Sequence, residues 1–317
     1  MRVLILGITG FAGRYLAAEL ERSGHEVIGA ARRDGKSEGP REIDGRKLLP
    51  CDVTQQDQVA ATLGAARADA VVVLAGIASP PAAQRNPDLA YRVHVLGTVH
   101  LLTAARSFPK LRILLVTSSE AYGQVAAEEL PITEETPLRP ASIYAASKAS
   151  ADLAARAFAL SEGMDVVRVR AFNHTGPGQR PDFVCPDFAR QVAEIAAGRR
   201  SPRMSVGNVD VRRDFSDVRD IARGYVAALS RGRAGEAYNL CSGRATLVRS
   251  ILDDLCRIAG VRPEIEIDAS RQRRAEVPAY WGSYRKAEVE LGWRPEIPWQ
   301  NTLADLYRDV RVRLDAE

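Results

Sequence analysis

At 317 residues, with 44 Lys+Arg against 40 Asp+Glu and a formal net charge of +4, the chain can bury one large core with an appended smaller lobe, and its near-balanced charge excludes a dedicated nucleic-acid binder. Cys51, Cys185, Cys241 and Cys256 are scattered without C-x-x-C or Cys/His spacing, so neither a disulfide nor a metal is expected, and a reducing, cytoplasmic setting suits them. The apolar stretch from Ala70 to Ala78 is far too short to span a bilayer, and an expected strand from residue 2 leaves no room for a signal peptide.

Val3-Leu4-Ile5-Leu6 predicts the first strand. Gly7-Ile8-Thr9-Gly10-Phe11-Ala12-Gly13 then reads as a glycine turn opening a helix over about 11–22. Gly7 permits the sharp exit from the strand, Gly10 lets backbone approach a phosphate, and Gly13 lets the helix pack closely on the sheet. A dinucleotide pyrophosphate at that helix start faces free N–H groups and the positive end of the helix dipole. Further strands are expected at 27–31, 70–75, 111–116 and 166–170, with helices near 55–67, 88–107 and 144–162. Short apolar strands alternating with helices imply an α/β fold, a Rossmann-type doubly wound parallel sheet.

After Phe172 the alternation breaks. Asn173-His174-Thr175-Gly176-Pro177-Gly178-Gln179 is loop chemistry, and Pro263, Pro278, Pro295 and Pro298 punctuate the last third. Residues 214–242, a helix followed by Ala237-Tyr238-Asn239-Leu240, are expected to return to the main sheet. The expected division is therefore discontinuous: 1–172 with 212–243 as the dinucleotide-binding domain, and 173–211 with 244–317 as a smaller substrate lobe.

Tyr144-Ala145-Ala146-Ser147-Lys148 opens the 144–162 helix, downstream of Val116-Thr117-Ser118-Ser119-Glu120. A Tyr-x-x-x-Lys pair shares one helical face, where the ammonium is expected to lower the phenol's pKa and so let it exchange a proton with a substrate oxygen. The chain has only five lysines, Lys36, Lys47, Lys110, Lys148 and Lys286, which gives that spacing weight.

These features resemble, over essentially the whole chain, the extended branch of the short-chain dehydrogenase/reductase superfamily that acts on nucleotide sugars. The resemblance implies that Tyr144 exchanges the proton and that Lys148 is its partner and a ligand of the nicotinamide ribose. It also implies that Ser118, four before Tyr122 of the Tyr122-Gly123 step, bonds the same substrate oxygen, with Ser119 beside it. The glycine turn with Phe11 and Ala12, the pair Asp52-Val53, and Leu74-Ala75-Gly76 would line the cofactor; an acid such as Asp52 is also an ordinary helix cap. NAD-binding relatives end the second strand in an acid, whereas here Ala31 is followed by Arg32 and Arg33. Two guanidiniums suit a 2′-phosphate, so NADP(H) is favoured and NAD(H) possible; the alternative is a solvated basic loop with relaxed cofactor choice.

The substrate half resembles the GDP-4-dehydro-6-deoxy-D-mannose reductases, in Ala171–Gln179, Phe183-Val184, Asp187–Gln191, Arg213–Asp220, Tyr238–Gly243 and Gly292–Pro298. By that likeness Asn173 binds the sugar diphosphate, and Arg213 and Arg273 clamp it, with Arg274 the alternative to Arg273 because a proline of the family pattern is missing there. Val184 and Glu276 would lie near the nucleoside, against a reading of simple packing and a surface acid. Glu120 occupies the place where the related GDP-mannose 4,6-dehydratases keep a base, and some reductases keep it too. The dehydratases, however, read Gly-x-Thr-Gly-Gln-Asp-Gly at the turn and Asn-His-x-Ser-Pro-Arg at the loop, where this chain has Phe11-Ala12 and Gly176-Pro177-Gly178.

The implied activity is NADP(H)-dependent reduction of the C4 ketone of a GDP-6-deoxy-4-keto-hexose to GDP-D-rhamnose. A nucleotide-sugar dehydratase or epimerase is the alternative, and a non-catalytic NADP sensor a remote one that the intact Ser118, Tyr144 and Lys148 oppose. Helices 88–107 and 144–162 are the expected homodimer face. His94 stands where the family often has asparagine, and as a buried helical histidine it receives no role.

Overall fold

The apolar runs become the interior of one sheet. In the computed structural model, which describes residues 1–32, 41–271 and 277–317, the strands are β1 (Arg2–Leu6), β2 (Glu26–Ala31), β3 (Arg41–Ile43), β4 (Arg46–Pro50), β5 (Ala70–Val73), β6 (Arg112–Val116), β7 (Val166–Ala171) and a last one, Ala237–Leu240. Their order is Ala237–Leu240, β7, β6, β5, β1, β2, β4, β3. Every neighbouring pair is parallel except β3 with β4. The order turns outward in both directions from β1 and β5, and such a switch point opens a crevice at the strands' carboxyl ends, where a ligand can enter.

Strand periodicity of two splits β1 between two cores. Val3 and Ile5 join Leu16 and Leu20 of α1 (Phe11–Arg22) with Ile221 and Tyr225 of the helix Val218–Arg231. Leu4 and Leu6 join Leu63 of α2 (Gln56–Ala66), Leu101, and Ala151 and Ala155 of the helix Ile143–Glu162. Burial on both faces explains why these strands are continuously apolar. A third core, including Phe188, Met204, Leu252 and Leu306, gathers the helices Val184–Ala196, Val248–Ala259 and Trp299–Asp315 into the smaller lobe.

Three local features differ from the sequence expectation. Residues expected as one helix over 88–107 form Pro87–Tyr91, a π-helical turn Arg92–Leu96, and Gly97–Ala105. Strands β3 and β4 form a hairpin around Asp44 (φ 50°) and Gly45 (φ 74°), a two-residue turn whose positive φ values match the twist of the flanking strands. The helix Arg285–Leu291, expected with the substrate lobe, buries Ala287 and Leu291, together with Trp293, in the core of the main sheet. Trp293 Nε1 donates to the Asp220 carbonyl at 2.9 Å. Among the described residues no helix is long and apolar enough to cross a membrane.

Candidate active site

The glycine turn sits at the switch point. Gly7 has φ +92°, and a Cβ there would lie 2.6 Å from Ala75 N; one on Gly13 would lie 2.6 Å from the Ile8 carbonyl oxygen. Neither position tolerates a side chain, so α1 starts hard against the sheet. Gly10 caps that helix without any side-chain hydrogen bond, leaving its first N–H groups directed to an incoming anion, and the exposed Gly10 keeps the approach open. The turn therefore fits a dinucleotide pyrophosphate.

Phe11 stacks on His174, with ring centroids 6.2 Å apart and 8° between planes, and the Tyr15 hydroxyl donates to the Pro177 carbonyl at 2.8 Å. The cofactor helix is thus tied to the 173–179 loop. Ala12, Leu74 and Ala75 are half-buried around the turn, and Gly76 is exposed beyond them. Arg32 is exposed immediately after β2, while Arg33 lies outside the described residues. The Asp52 carboxylate accepts from Thr54 N at 2.9 Å and Thr54 Oγ1 at 2.8 Å, which shapes the turn before α2, and Val53 is buried.

Ser118 follows β6 and opens a 3₁₀ turn, Ser119–Tyr122, its Oγ accepting from Glu120 N at 3.2 Å. Tyr144 lies in the first turn of the helix Ile143–Glu162, which Ser142 caps by accepting from Ala145 N at 3.1 Å. Ser118 and Tyr144 are both buried, and their hydroxyls are hydrogen-bonded to each other. Lys148, one turn on, donates to the Val116 carbonyl at 3.4 Å. The structure thus brings Ser118, Tyr144 and Lys148 together at the end of β6.

The electrostatics differ from the sequence expectation. Burial pushes the Tyr144 phenol up to about 12, assisted by the Glu120 charge and opposed by the Ser118 hydrogen bond. Burial also lowers Lys148 to about 8. Taking charge out of water disfavours the charged form of each group, and the expected lowering of the phenol by the ammonium is not among the effects acting on Tyr144. The Tyr144 phenol therefore keeps its proton at neutral pH.

On the substrate side, Glu120 and Ser119 continue the Ser118 turn, Glu120 half-buried and Ser119 buried. Asn173 is exposed and donates from Nδ2 to the Asp214 carbonyl at 3.1 Å. Arg213 is half-buried on the short strand Arg212–Arg213, its Nη1 donating to the Arg212 carbonyl at 2.8 Å. Val184 is partly buried against the lobe's core at the start of its helix. Arg273, Arg274 and Glu276 lie outside the described residues.

Asp214 fastens this region. Its carboxylate accepts from Ser242 N (2.7 Å), Ser242 Oγ (2.7 Å), Gly243 N (3.0 Å) and Gly282 N (3.2 Å). Burial raises it to about 6 despite those donors.

Two features escaped the sequence reading. Tyr280, whose strand Ala279–Tyr280 runs beside Arg212–Arg213, donates its hydroxyl to the Ser119 carbonyl and so joins the lobe to the Ser119–Tyr122 turn. Asp152 is fully buried and pairs with Arg168 and Arg170, while Thr117 Oγ1 donates to it at 3.1 Å. Alternating arginines in the otherwise apolar 166–170 run were the available signal for the second; nothing local marked the first.

The profile of the family described as GDP-mannose 4,6 dehydratase matches residues 4–306. The chain is 36% identical to the GDP-6-deoxy-D-mannose reductase of Pseudomonas aeruginosa, covering 100% of this chain and 99% of that one. It is 27% identical to the GDP-mannose 4,6-dehydratase of Yersinia enterocolitica, over 96% of this chain and 92% of that one. Among solved structures, RMD from Pseudomonas aeruginosa complexed with NADPH superposes with a TM-score of 0.84 at 36% identity, over 99% and 100% of the two chains. The Thermus thermophilus UDP-glucose 4-epimerase complex with NAD gives 0.86 at 27% identity, over 98% and 99%. A glycine cradle at the switch point, a Ser118–Tyr144–Lys148 cluster beside it and a match along nearly the whole length lead to one assignment: the chain belongs to the GDP-mannose 4,6-dehydratase family of extended short-chain dehydrogenases/reductases.

Proposed function

We propose that this chain reduces the C4 ketone of GDP-4-dehydro-6-deoxy-D-mannose with NADPH, giving GDP-D-rhamnose. The observation that carries the reading is the cluster of Ser118, Tyr144 and Lys148 at the end of β6, in a chain alike over its whole length to a GDP-6-deoxy-D-mannose reductase. When bound, the nicotinamide supplies the hydride. Ser118 and Tyr144 point their hydroxyls at the ketone oxygen and stabilise the negative charge that develops on it. Tyr144 then gives up its proton, and the Lys148 ammonium steadies the phenolate left behind.

Gly7, Gly10, Phe11, Ala12 and Gly13 would hold the pyrophosphate, Asp52 and Val53 the adenine end, and Leu74, Ala75, Gly76, Tyr144 and Lys148 the nicotinamide end. Arg32 and Arg33 would take the 2′-phosphate, with NADH a weaker alternative. Asn173, Arg213 and Arg273 are assigned to the diphosphate, Ser119 and Glu120 to the sugar, and Val184 and Glu276 to the nucleoside. We assign the chain to the cytoplasm as a homodimer. Tyr91 and Leu96 on the 87–105 segment, and Leu153 and Leu160 on the Tyr144 helix, are large apolar side chains left 38%, 46%, 52% and 67% exposed.

The test is product analysis. NADPH and the 4-keto sugar should yield GDP-D-rhamnose, while GDP-mannose with NADP⁺ should yield no keto sugar. The proximity of Glu120 to Tyr144 favours a second reading, a dehydratase. Glu120→Gln should leave kcat for ketone reduction within about threefold of the parent, with any loss of sugar contact confined to KM, because Tyr144 provides the proton, whereas it should abolish a dehydratase that uses Glu120 as base. Keto sugar formed from GDP-mannose and lost in the Gln variant would replace the first reading by the second.

A further inference from the structure

We infer that His94 is a positioning residue for the catalytic pair: through Ser147 it holds the helical turn that carries Tyr144 and Lys148, and it ties that turn to the loop after β5. The inference rests on the reductase reading only for its kinetic test. Ile77 N–H donates to His94 Nε2 at 2.9 Å, so Nε2 is the acceptor and the ring proton sits on Nδ1. Nδ1 lies 2.8 Å from Ser147 Oγ, which in turn donates to the Tyr144 carbonyl at 2.9 Å. One imidazole thereby connects the backbone at Ile77 to the backbone of Tyr144.

The surroundings leave the ring little freedom. His94 is 3% exposed and Ser147 is 0% exposed. The imidazole meets the Tyr144 ring edge-on, with centroids 5.8 Å apart and planes at 84°. A Cβ on Gly76 would lie 3.1 Å from His94 Nε2 and 3.4 Å from Lys148 Nζ, so imidazole and ammonium line the same stretch of backbone.

The π-helical turn Arg92–Leu96 carries His94, and Thr98 Oγ1 donates to its carbonyl at 2.6 Å. Such a turn inserts a residue into the helical ladder and re-aims the side chains around it, and π-turns recur at functional sites. Both ring nitrogens are committed to protein partners, so His94 has no proton to exchange with substrate. Burial, and then the Lys148 charge, hold it neutral by lowering it to about 2. Its role is orientation.

The two halves of the ring can be separated by substitution. Asparagine places an amide N–H near the position of Nδ1 and can still meet Ser147; glutamine places an amide oxygen near Nε2 and can still accept from Ile77. The full chain, parent and variants, is assayed for NADPH-dependent reduction of the 4-keto sugar, for NADPH affinity by fluorescence titration, and for hydrogen–deuterium exchange of the peptide over 142–149.

Ser147→Ala and His94→Gln should lower kcat about tenfold or more, with the KM for keto sugar and the NADPH affinity within about threefold of the parent. Exchange in the 142–149 peptide should quicken in both, and His94→Asn should restore the parent's kcat to within about threefold. The inference is overturned if both variants keep kcat within about threefold, if their losses appear equally in KM and NADPH affinity, or if asparagine is no better than glutamine. A parent that binds NADPH but does not turn over the keto sugar counts against the reductase reading. The exchange comparison then decides the inference alone: unchanged exchange in Ser147→Ala and His94→Gln refutes it.

Discussion

Replacing Lys148 with methionine should make the protein more stable, by an amount that vanishes at high pH. Burial lowers the Lys148 ammonium to about 8, whereas an unfolded chain titrates its lysines near about 10.4. The gap between those values corresponds to about 3 kcal/mol by which the fold disfavours the charged form. Between about pH 8 and pH 10.4 the unfolded chain binds more protons than the folded one, so this group makes stability rise with pH through that window and level off beyond it. Methionine fills a similar volume without charge and loses one long bond, from Nζ to the Val116 carbonyl at 3.4 Å. That bond offsets the gain by under about 1 kcal/mol, leaving about 2 kcal/mol at pH 7 and close to none by about pH 10.5. Urea unfolding of parent and variant across that range measures the difference directly. With five lysines in the chain, carbon-13 labelling of lysine Cε also lets the Lys148 resonance be assigned by its loss in the variant and titrated in the parent. A variant less stable than the parent at pH 7, or a Lys148 resonance that titrates above about pH 10, would mean that the ammonium is solvated and that the argument from burial is wrong.

Tyr144→Phe should bind NADPH as the parent does but reduce ketone about 10²–10⁴-fold more slowly, checked by steady-state kinetics beside a fluorescence titration. Arg32→Ala should raise the KM for NADPH about tenfold or more while leaving that for NADH nearly unchanged, since a charge-assisted bond is worth about 1.5–3 kcal/mol; an unaltered preference places the guanidinium in solvent. Asp152→Asn should cost about 3–5 kcal/mol in urea unfolding, because Arg168 and Arg170, 3% and 5% exposed, keep their charges with no carboxylate between them.

The parts of this fold legible in the sequence are those set by local pattern. Apolar runs placed β1, β2, β5 and β6 to within a residue or two, because burial on both faces leaves little room for polar residues there, and β7 was placed by its valines although Arg168 and Arg170 alternate with them. Gly7, Gly10 and Gly13 were legible because backbone contact excludes every other side chain at Gly7 and Gly13. The β3–β4 hairpin was not, although Asp44-Gly45 is a favoured turn pair, because its flanks Arg41-Glu42-Ile43 and Arg46-Lys47-Leu48 lack alternating apolar residues. The π-turn was not, because a single i→i+5 step changes no residue preference in a run otherwise suited to a helix. At the site, Tyr144 and Lys148 were legible from their spacing on one helix. Tyr280 and His94 act through partners 161 and 53 residues away in sequence, at distances that no local pattern encodes.

Burial sets the resting protonation of two groups at once. Tyr144 and Lys148 are shifted oppositely, the phenol up and the ammonium down, and each shift has the same cause. A phenol held at about 12 keeps its proton at neutral pH and can hydrogen-bond a ketone oxygen, but it is a weaker acid than free tyrosine, so its proton leaves only as charge builds on that oxygen. Oxidation of a hydroxyl, the opening step of a dehydratase, would need the phenolate instead, and burial keeps that form scarce. Glu120 adds to the effect, because its charge raises Tyr144 further. The carboxylate that makes a dehydratase conceivable in this chain therefore also keeps Tyr144 protonated.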